Sequence, residues 1–428
     1  MTTGRYAVIP ELLFTGDGDN TESKIAVIVE NGIIVSLCAE TALSKDMRII
    51  KLVGGTLLPG FIDAHVHAER WQLPLYLSCG ITTIRDTGND PEYILALKKS
   101  AEDPEEKSPS IYCCGPLLDL MPYSHEHISW GMESEKDIRE AISVLKDSGF
   151  DYIKLYASLD QTKLAAGINE AKKQGLHVLA HIERSDLLLA ALNEGIDEVE
   201  HLAGTPLPFS IDFLNIIVSS GVKVVPTQTV FEEVFNRCIN SDSPETYLSS
   251  LPENLKEYWR VYGNNVSRNI DAVKYYCSEH RKYISELIKR KADMGIGTDS
   301  PCQWAMPGSS FITETKVFSE CGMSNTDVIK LTASGNAALL GISDKTGRIR
   351  PGMNADMVFV AGNPLEDLDC LSKVKRIFRR GFEFDPVSLI ETTRLCRPMS
   401  ESLRNFSLGV SKYVNWRESS VYTKHMMK

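Results

Sequence analysis

The chain has 428 residues, 43% of them hydrophobic and 24% charged. That is the make-up of a soluble globular protein with room for two or three domains, or for one large barrel and an appendage. Its 46 basic residues face 57 acidic ones, a formal charge of −11, which argues against nucleic acid and against an anionic membrane as partners. Residues Met1 to Asn20 contain one Arg and no apolar segment of the signal-peptide kind. The uncharged run Trp71–Ile84 carries Pro74 and Gly80 and is shorter than the roughly 18–20 residues of a membrane helix. The ten cysteines are scattered without CxxC pairs. They read as reduced thiols, and the expected location is cytoplasmic.

In chain order, Lys24–Val29 and Ile33–Leu37 are β-branched runs joined by Asn31-Gly32, a strong hairpin signal. The segment Gly16-Asp17-Gly18-Asp19-Asn20 begins like a calcium loop but lacks the later carboxylates and the closing Glu, so it reads as a plain turn. Asp356–Val360 and Val374–Phe384 form a second β-rich stretch far downstream. Residues 1–58 and 345–385 are therefore expected to build one small β-sandwich domain from both chain ends.

Between them, residues 59–344 alternate. Short β-rich runs lie at Thr56–Ile62, Ile81–Arg85, Ser110–Cys113, Tyr152–Leu155, Val178–Ala180, Glu198–Glu200, Lys223–Val225 and Gly295–Gly297. Most are followed by helical patterns such as Ile138–Leu145 and Leu164–Ala171, with apolar residues three and four apart. This predicts an α/β fold whose middle is a (β/α)8 TIM barrel. A doubly wound sheet is the alternative, but no Gly-rich phosphate loop follows any strand. Ser241–Glu257 reads as a loop insertion. Residues 386–428 read as a C-terminal arm on the surface or on a second copy, which leaves a homo-oligomer open.

Metal-capable side chains gather at the predicted strand ends. His65 and His67 end the first, Lys154 sits in the fourth, His181 and His201 end the fifth and sixth, and Asp299 ends the eighth. Alternate strand residues share a face, so both histidines of His65-Val66-His67 can reach one point in a barrel mouth. The C-terminal ends of barrel strands are where this fold builds active sites. Taken singly, each residue has an ordinary reading. A histidine can be a hydrogen-bonded core residue, Asp299 a helix cap and Lys154 a solvated or paired amine. Six such residues at successive strand ends point instead to a metal site.

These residues carry a resemblance. Leu58-Pro59-Gly60-Phe61-Ile62-Asp63-Ala64-His65-Val66-His67, Gly80-Ile81-Thr82-Thr83-Ile84-Arg85-Asp86, Val199-Glu200-His201-Leu202, Gly297-Thr298-Asp299 and Gly352-Met353-Asn354-Ala355-Asp356-Met357-Val358, followed by Gly362-Asn363-Pro364-Leu365, resemble the amidohydrolase superfamily. The likeness is to its binuclear subtype, in the branch of imidazolonepropionase-like proteins and Xaa-Pro dipeptidases (prolidases). It implies His65, His67 and Asp299 on one divalent metal, His181 and His201 on a second, and Lys154 as a CO2-derived carbamate bridging the two. Zn²⁺ suits nitrogen and carboxylate donors, with Mn²⁺, Fe²⁺ and Co²⁺ as alternatives. Such a pair of ions yields a hydroxide at neutral pH, and Asp299 can move its proton to a leaving amine. The expected enzyme hydrolyses an amide, peptide or cyclic amide C–N bond of a small molecule. The runner-up is a metal-assisted lyase or isomerase on the same barrel.

Substrate contacts are expected from His125, Tyr156, Arg184 and Gln228, all near the same mouth. His125 and His127 lie in Tyr123-Ser124-His125-Glu126-His127, where prolidase-like members usually show Gly-Gly-His. Arg184 has a fork that suits a carboxylate, with a salt bridge to a neighbouring acid as its other reading. Cys113-Cys114 read as small core residues, and Cys302 has no evident base beside it.

Overall fold

The computed structural model describes residues 4–121, 125, 128–239, 251–256, 270–302, 305–395, 417 and 424. Strand β1 (Arg5–Leu13) lies antiparallel to β2 (Ile25–Glu30), which turns back into β3 (Ile33–Ala39), and parallel to β4 (Arg48–Pro59). At the β2–β3 turn Asn31 and Gly32 have φ of 50° and 82°, the two positive values that a type I′ hairpin demands. Strand alternation sends Tyr6, Val8, Val27 and Val29 into one apolar cluster and Ala7, Ile9, Ala26 and Ile28 into another.

The barrel follows, with β5 (Phe61–Val66), β6 (Ile81–Asp86) and β7 (Ser110–Cys113) parallel to one another. Next come β8 (Leu117–Asp119) with β9 (Ser129–Gly131) beside it, β10 (Tyr152–Leu155), β11 (His177–His181), β12 (Glu198–Glu200) and β13 (Lys223–Val225). The third barrel strand is split. Its first half pairs with β6 and its second with β10, and the Asp151 N–H donates to the Cys113 carbonyl at 3.0 Å across the break. Residues 294–300 close the ring without forming a regular strand. Gly295 N–H bonds Val224 O on one side, and on the other Ala64 N–H bonds Ile296 O while Asp299 N–H bonds His65 O.

The helices form where the patterns place them. Glu135–Asp147 starts at a Ser134/Asp137 capping box and buries Ile138, Ala141, Ile142 and Leu145. Gln161–Lys173 starts at the Asp160 cap and buries Leu164, Ile168 and Ala171. The chain then returns to the small sheet as β14 (Met357–Ala361), β15 (Val374–Arg379) and β16 (Phe382–Phe384), in the order β16-β15-β14-β4-β1-β2-β3. The architecture is thus a (β/α)8 barrel with a small β unit drawn from both chain ends.

One strand boundary differs from expectation. The run Thr56–Ile62 is two strands, because Thr56 to Pro59 pair with β14 and Phe61 opens the barrel. Gly60 makes the break. A Cβ there would meet Thr82 Oγ1 at 2.2 Å, so only glycine lets the two strands approach. Of the predicted insertion Ser241–Glu257, residues 251–256 are described. Of the predicted arm, Pro386–Thr392 is a helix, and Arg417 pairs with Asp137 at 2.7 Å and Glu140 at 3.1 Å. Among the described residues no helix is long and apolar enough to cross a membrane.

Candidate metal centre

His65 and His67 leave β5 on the same side of the strand. His65 is 1% exposed, with Nδ1 2.5 Å from Glu200 Oε2 and Nε2 3.3 Å from Asp299 Oδ1. His67 has Nδ1 2.8 Å from the Gly88 carbonyl and Nε2 3.1 Å from the same Asp299 oxygen. His201, at the end of β12, has Nδ1 2.5 Å from Thr227 Oγ1. One ligand atom each from His65, His201 and Asp299 lies within 4.8 Å of the other two. The His181 and His201 ring centroids are 4.6 Å apart, and those of His65 and His201 are 4.9 Å apart.

Three site residues at strand ends have positive φ: His201 at 61°, Thr227 at 45° and Asp299 at 55°. Non-glycine residues pay for that region, a β-branched threonine most of all. Such strain gathers where a chain must turn sharply to aim side chains at one point.

Among the predicted metal donors, Lys154 Nζ and His181 Nδ1 are buried without a hydrogen-bond partner. His181 Nε2 contacts Glu183 Oε1 at 3.2 Å, so its bare nitrogen is the inner one. In His65, His67 and His201 the nitrogen Nδ1 is occupied, by a carboxylate, a carbonyl and a hydroxyl in turn. A partner at Nδ1 turns Nε2 toward the cluster, where in His65 and His67 it faces Asp299. The set of imidazoles, one carboxylate and one orphaned amine fits divalent metal.

The electrostatics agree. Burial drives the Lys154 amine and the His181 imidazole down, and His201 well down, so each favours its neutral, lone-pair-bearing form. Burial opposes ionisation of Asp299, but contacts with His65 and His67 outweigh it and hold the carboxyl well below its ordinary range. Burial also lowers His65, and there the facing Glu200 carboxylate wins and raises it.

Of the expected substrate contacts, the structure brings His125 and Tyr156 together. His125 Nε2 lies 3.1 Å from the Tyr156 hydroxyl, and the Tyr156 ring stacks on His181 at 4.7 Å. Gln228 is buried beside Thr227, its N–H donating to Glu314 Oε1 at 3.1 Å and its side-chain Oε1 left without a partner. Arg184 is found in its other reading, the salt bridge to a neighbouring acid. Its side chain is 67% exposed and both arms of its fork are taken by Asp186, at 3.1 and 2.5 Å. A carboxylate two residues away satisfies it locally. His127 lies outside the described residues. Cys113 and Cys114 are buried core residues whose thiols burial pushes up, and burial does the same to Cys302.

Sequence reasoning missed the residues that hold the donors: Glu200 behind His65, Thr227 behind His201, and Glu314, which binds the N–H groups of Gln228 and Thr229. The only signal was alternation in Glu198-Val199-Glu200-His201, where two carboxylates two apart must share a strand face.

Comparison with known proteins agrees with this geometry. The amidohydrolase family model matches residues 56–382. The chain is 23% identical over 410 residues to the 5-methylthioadenosine/S-adenosylhomocysteine deaminase of Caldicellulosiruptor saccharolyticus, covering 85% of this chain and 86% of that one. It is 21% identical over 440 residues to the ochratoxinase of Aspergillus niger, covering 86% and 83%. In fold it is similar to a Xaa-Pro dipeptidase solved with bound methionine, with a TM-score of 0.72 at 20% identity over 89% of this chain and 100% of that one. With a family model spanning most of its length and the metal donors at the strand ends, this chain belongs to the amidohydrolase family.

Proposed function

We propose that the protein is a metal-dependent hydrolase that cleaves an amide, peptide or cyclic amide C–N bond of a small molecule in the cytoplasm. The observation that carries this reading is the meeting of His65, His201 and Asp299 at one barrel mouth, with the buried amine of Lys154 left unpartnered beside them. Relatives that include a deaminase and a Xaa-Pro dipeptidase support C–N chemistry. Eight of the described cysteines are free thiols, which supports the reducing compartment.

In this reading His65, His67 and Asp299 would hold one divalent ion, and His181 and His201 would hold another. A bound pair of such ions, Zn²⁺ or alternatively Mn²⁺, Fe²⁺ or Co²⁺, supplies an acidified water and polarises a carbonyl. Lys154 contributes as a carbamate. Its neutral amine adds to CO2, an N–C bond forms, one proton leaves, and the product is an anion with two oxygens on a long stem. Asp299, ionised and central, accepts the proton of the attacking water and hands it to the departing nitrogen. The His125–Tyr156 pair beside His181 and the free Oε1 of Gln228 contact the substrate.

The test is to strip metal from the protein, reload it with Zn²⁺, Mn²⁺ or Co²⁺, and assay dipeptides, N-acyl amino acids and cyclic amides for released amine. Amine release that requires metal supports hydrolysis. Turnover of a panel member to an isomer, with no water consumed and no amine released, moves the assignment to a lyase or isomerase.

A further inference from the structure

Behind the metal donors the barrel interior holds a group of charges that the proposed chemistry does not use. Arg85 on β6 is fully buried, as are Glu198 and Glu200 on β12. Arg85 Nη1 donates to Glu198 Oε2 at 3.1 Å, and Nη2 donates to Glu200 Oε1 at 3.0 Å and to Glu198 Oε1. Its Nε donates to the Ala64 carbonyl at 2.7 Å. On the far side His177 Nε2 lies 3.0 Å from Glu198 Oε2. This leaves Glu200 Oε2, and it points at His65 Nδ1, 2.5 Å away.

We propose that Glu200, clamped by Arg85, is the positioning residue of His65: it fixes the ring as the Nδ1–H tautomer, so that Nε2 is bare toward the metal donors. The inference rests on reading those donors as a metal centre. A neutral imidazole has one N–H and one lone pair, and a carboxylate only accepts. Both ring nitrogens face a carboxylate, Glu200 at 2.5 Å from Nδ1 and Asp299 at 3.3 Å from Nε2, and the single proton of the neutral ring goes to the closer one, Glu200, which leaves the lone pair on the Asp299 side. Arg85 matters because it spans two carboxylates with a rigid fork and so holds Glu200 in one orientation. One guanidinium against two carboxylates also leaves a negative charge beneath the cluster, out of water, which draws a dication to the mouth above it. Glu200 acts through His65 and needs no contact with substrate.

The experiment combines 15N spectra of histidine-labelled, metal-free protein at mildly basic pH with Zn²⁺ affinity by chelator competition. In the parent, His65 should show a protonated Nδ1 and an unprotonated Nε2. Glu200→Leu removes acceptor and charge, so His65 should become a tautomer mixture and Zn²⁺ should bind about 10–100-fold more weakly. Glu200→Gln keeps an acceptor oxygen but loses the charge, so the tautomer should persist while affinity falls less. His177→Gln, which alters the same network three contacts from Glu200, should leave both readouts within about twofold. If Glu200→Leu does not fold, Glu200→Gln decides. A His65 that stays Nδ1–H with undiminished Zn²⁺ affinity in whichever variant folds overturns the proposal, as does a parent whose His65 carries its proton on Nε2. A parent that binds no Zn²⁺ but shows the expected tautomer and its loss in Glu200→Leu would instead remove the metal reading and leave the positioning pair standing.

Discussion

His201 and Thr227 end adjacent barrel strands with their side chains joined and both backbones in the left-handed region. Nδ1 lies 2.5 Å from Oγ1, with φ of 61° and 45°. A threonine in that conformation costs roughly 1–3 kcal/mol, so its hydroxyl has a use that a relaxed residue would not supply. The His201 N–H to Val225 O bond of 2.7 Å pins the same junction. Thr227→Val keeps the strain and removes the acceptor. Its kcat/KM should fall about 10–100-fold. Thr227→Gly should lose as much activity yet melt at a higher temperature than Thr227→Val, because glycine accepts positive φ. Steady-state kinetics and thermal melts on the two variants check this; full activity in Thr227→Val would show that the hydroxyl does not orient His201.

Lys154 gives a pH prediction. Burial lowers the folded amine below its ordinary 10.5. Below that value the unfolded chain binds a proton that the folded metal-free protein binds less readily. Stability is therefore lost as pH falls from the unfolded value toward the folded one. Lys154→Met has no such proton. In CO2-free, metal-free buffer the parent should lose unfolding free energy relative to Lys154→Met as the pH falls below the ordinary amine value of 10.5. Equal pH slopes in denaturant titrations would show that the amine is not neutralised by burial. The same variant should bind less metal and be inactive.

Asp299→Asn should abolish turnover while most of the metal is retained. An amide oxygen can still face an ion, but it cannot take a proton from water and pass it on. Metal analysis alongside kcat separates the two effects, and near-parental kcat would remove Asp299 from proton transfer.

Arg184→Ala should change little. The side chain is solvent-facing and paired to Asp186, and exposed pairs of this kind contribute weakly. Both kcat/KM and melting temperature should stay close to parental values. A selective rise in KM for carboxylate-bearing substrates would instead return Arg184 to the substrate site.

Much of this was legible because periodicity and strand ends are local. The runs Ser110–Cys113, Tyr152–Leu155, Glu198–Glu200 and Lys223–Val225 form strands with those bounds, since β-branched runs bounded by turns leave few alternatives. The junction at Gly60 was not legible, because nothing local says that Thr56–Pro59 pairs with Met357–Val360, some three hundred positions away. Arg184 pairs with Asp186 two residues on, a local partner that the sequence offered beside the substrate reading.

The sequence by itself determined the alternation of strands and helices, the two β ends and the spacing of His65, His67, Lys154, His181, His201 and Asp299. Each follows from side-chain period and from the fold's habit of placing chemistry at strand ends. Only the tertiary structure decided which nitrogen of each histidine is free. That depends on Glu200, the Gly88 carbonyl and Thr227, acceptors contributed by three other strand ends. A proton on an imidazole goes where the acceptor is, and barrel closure sets where the acceptor is.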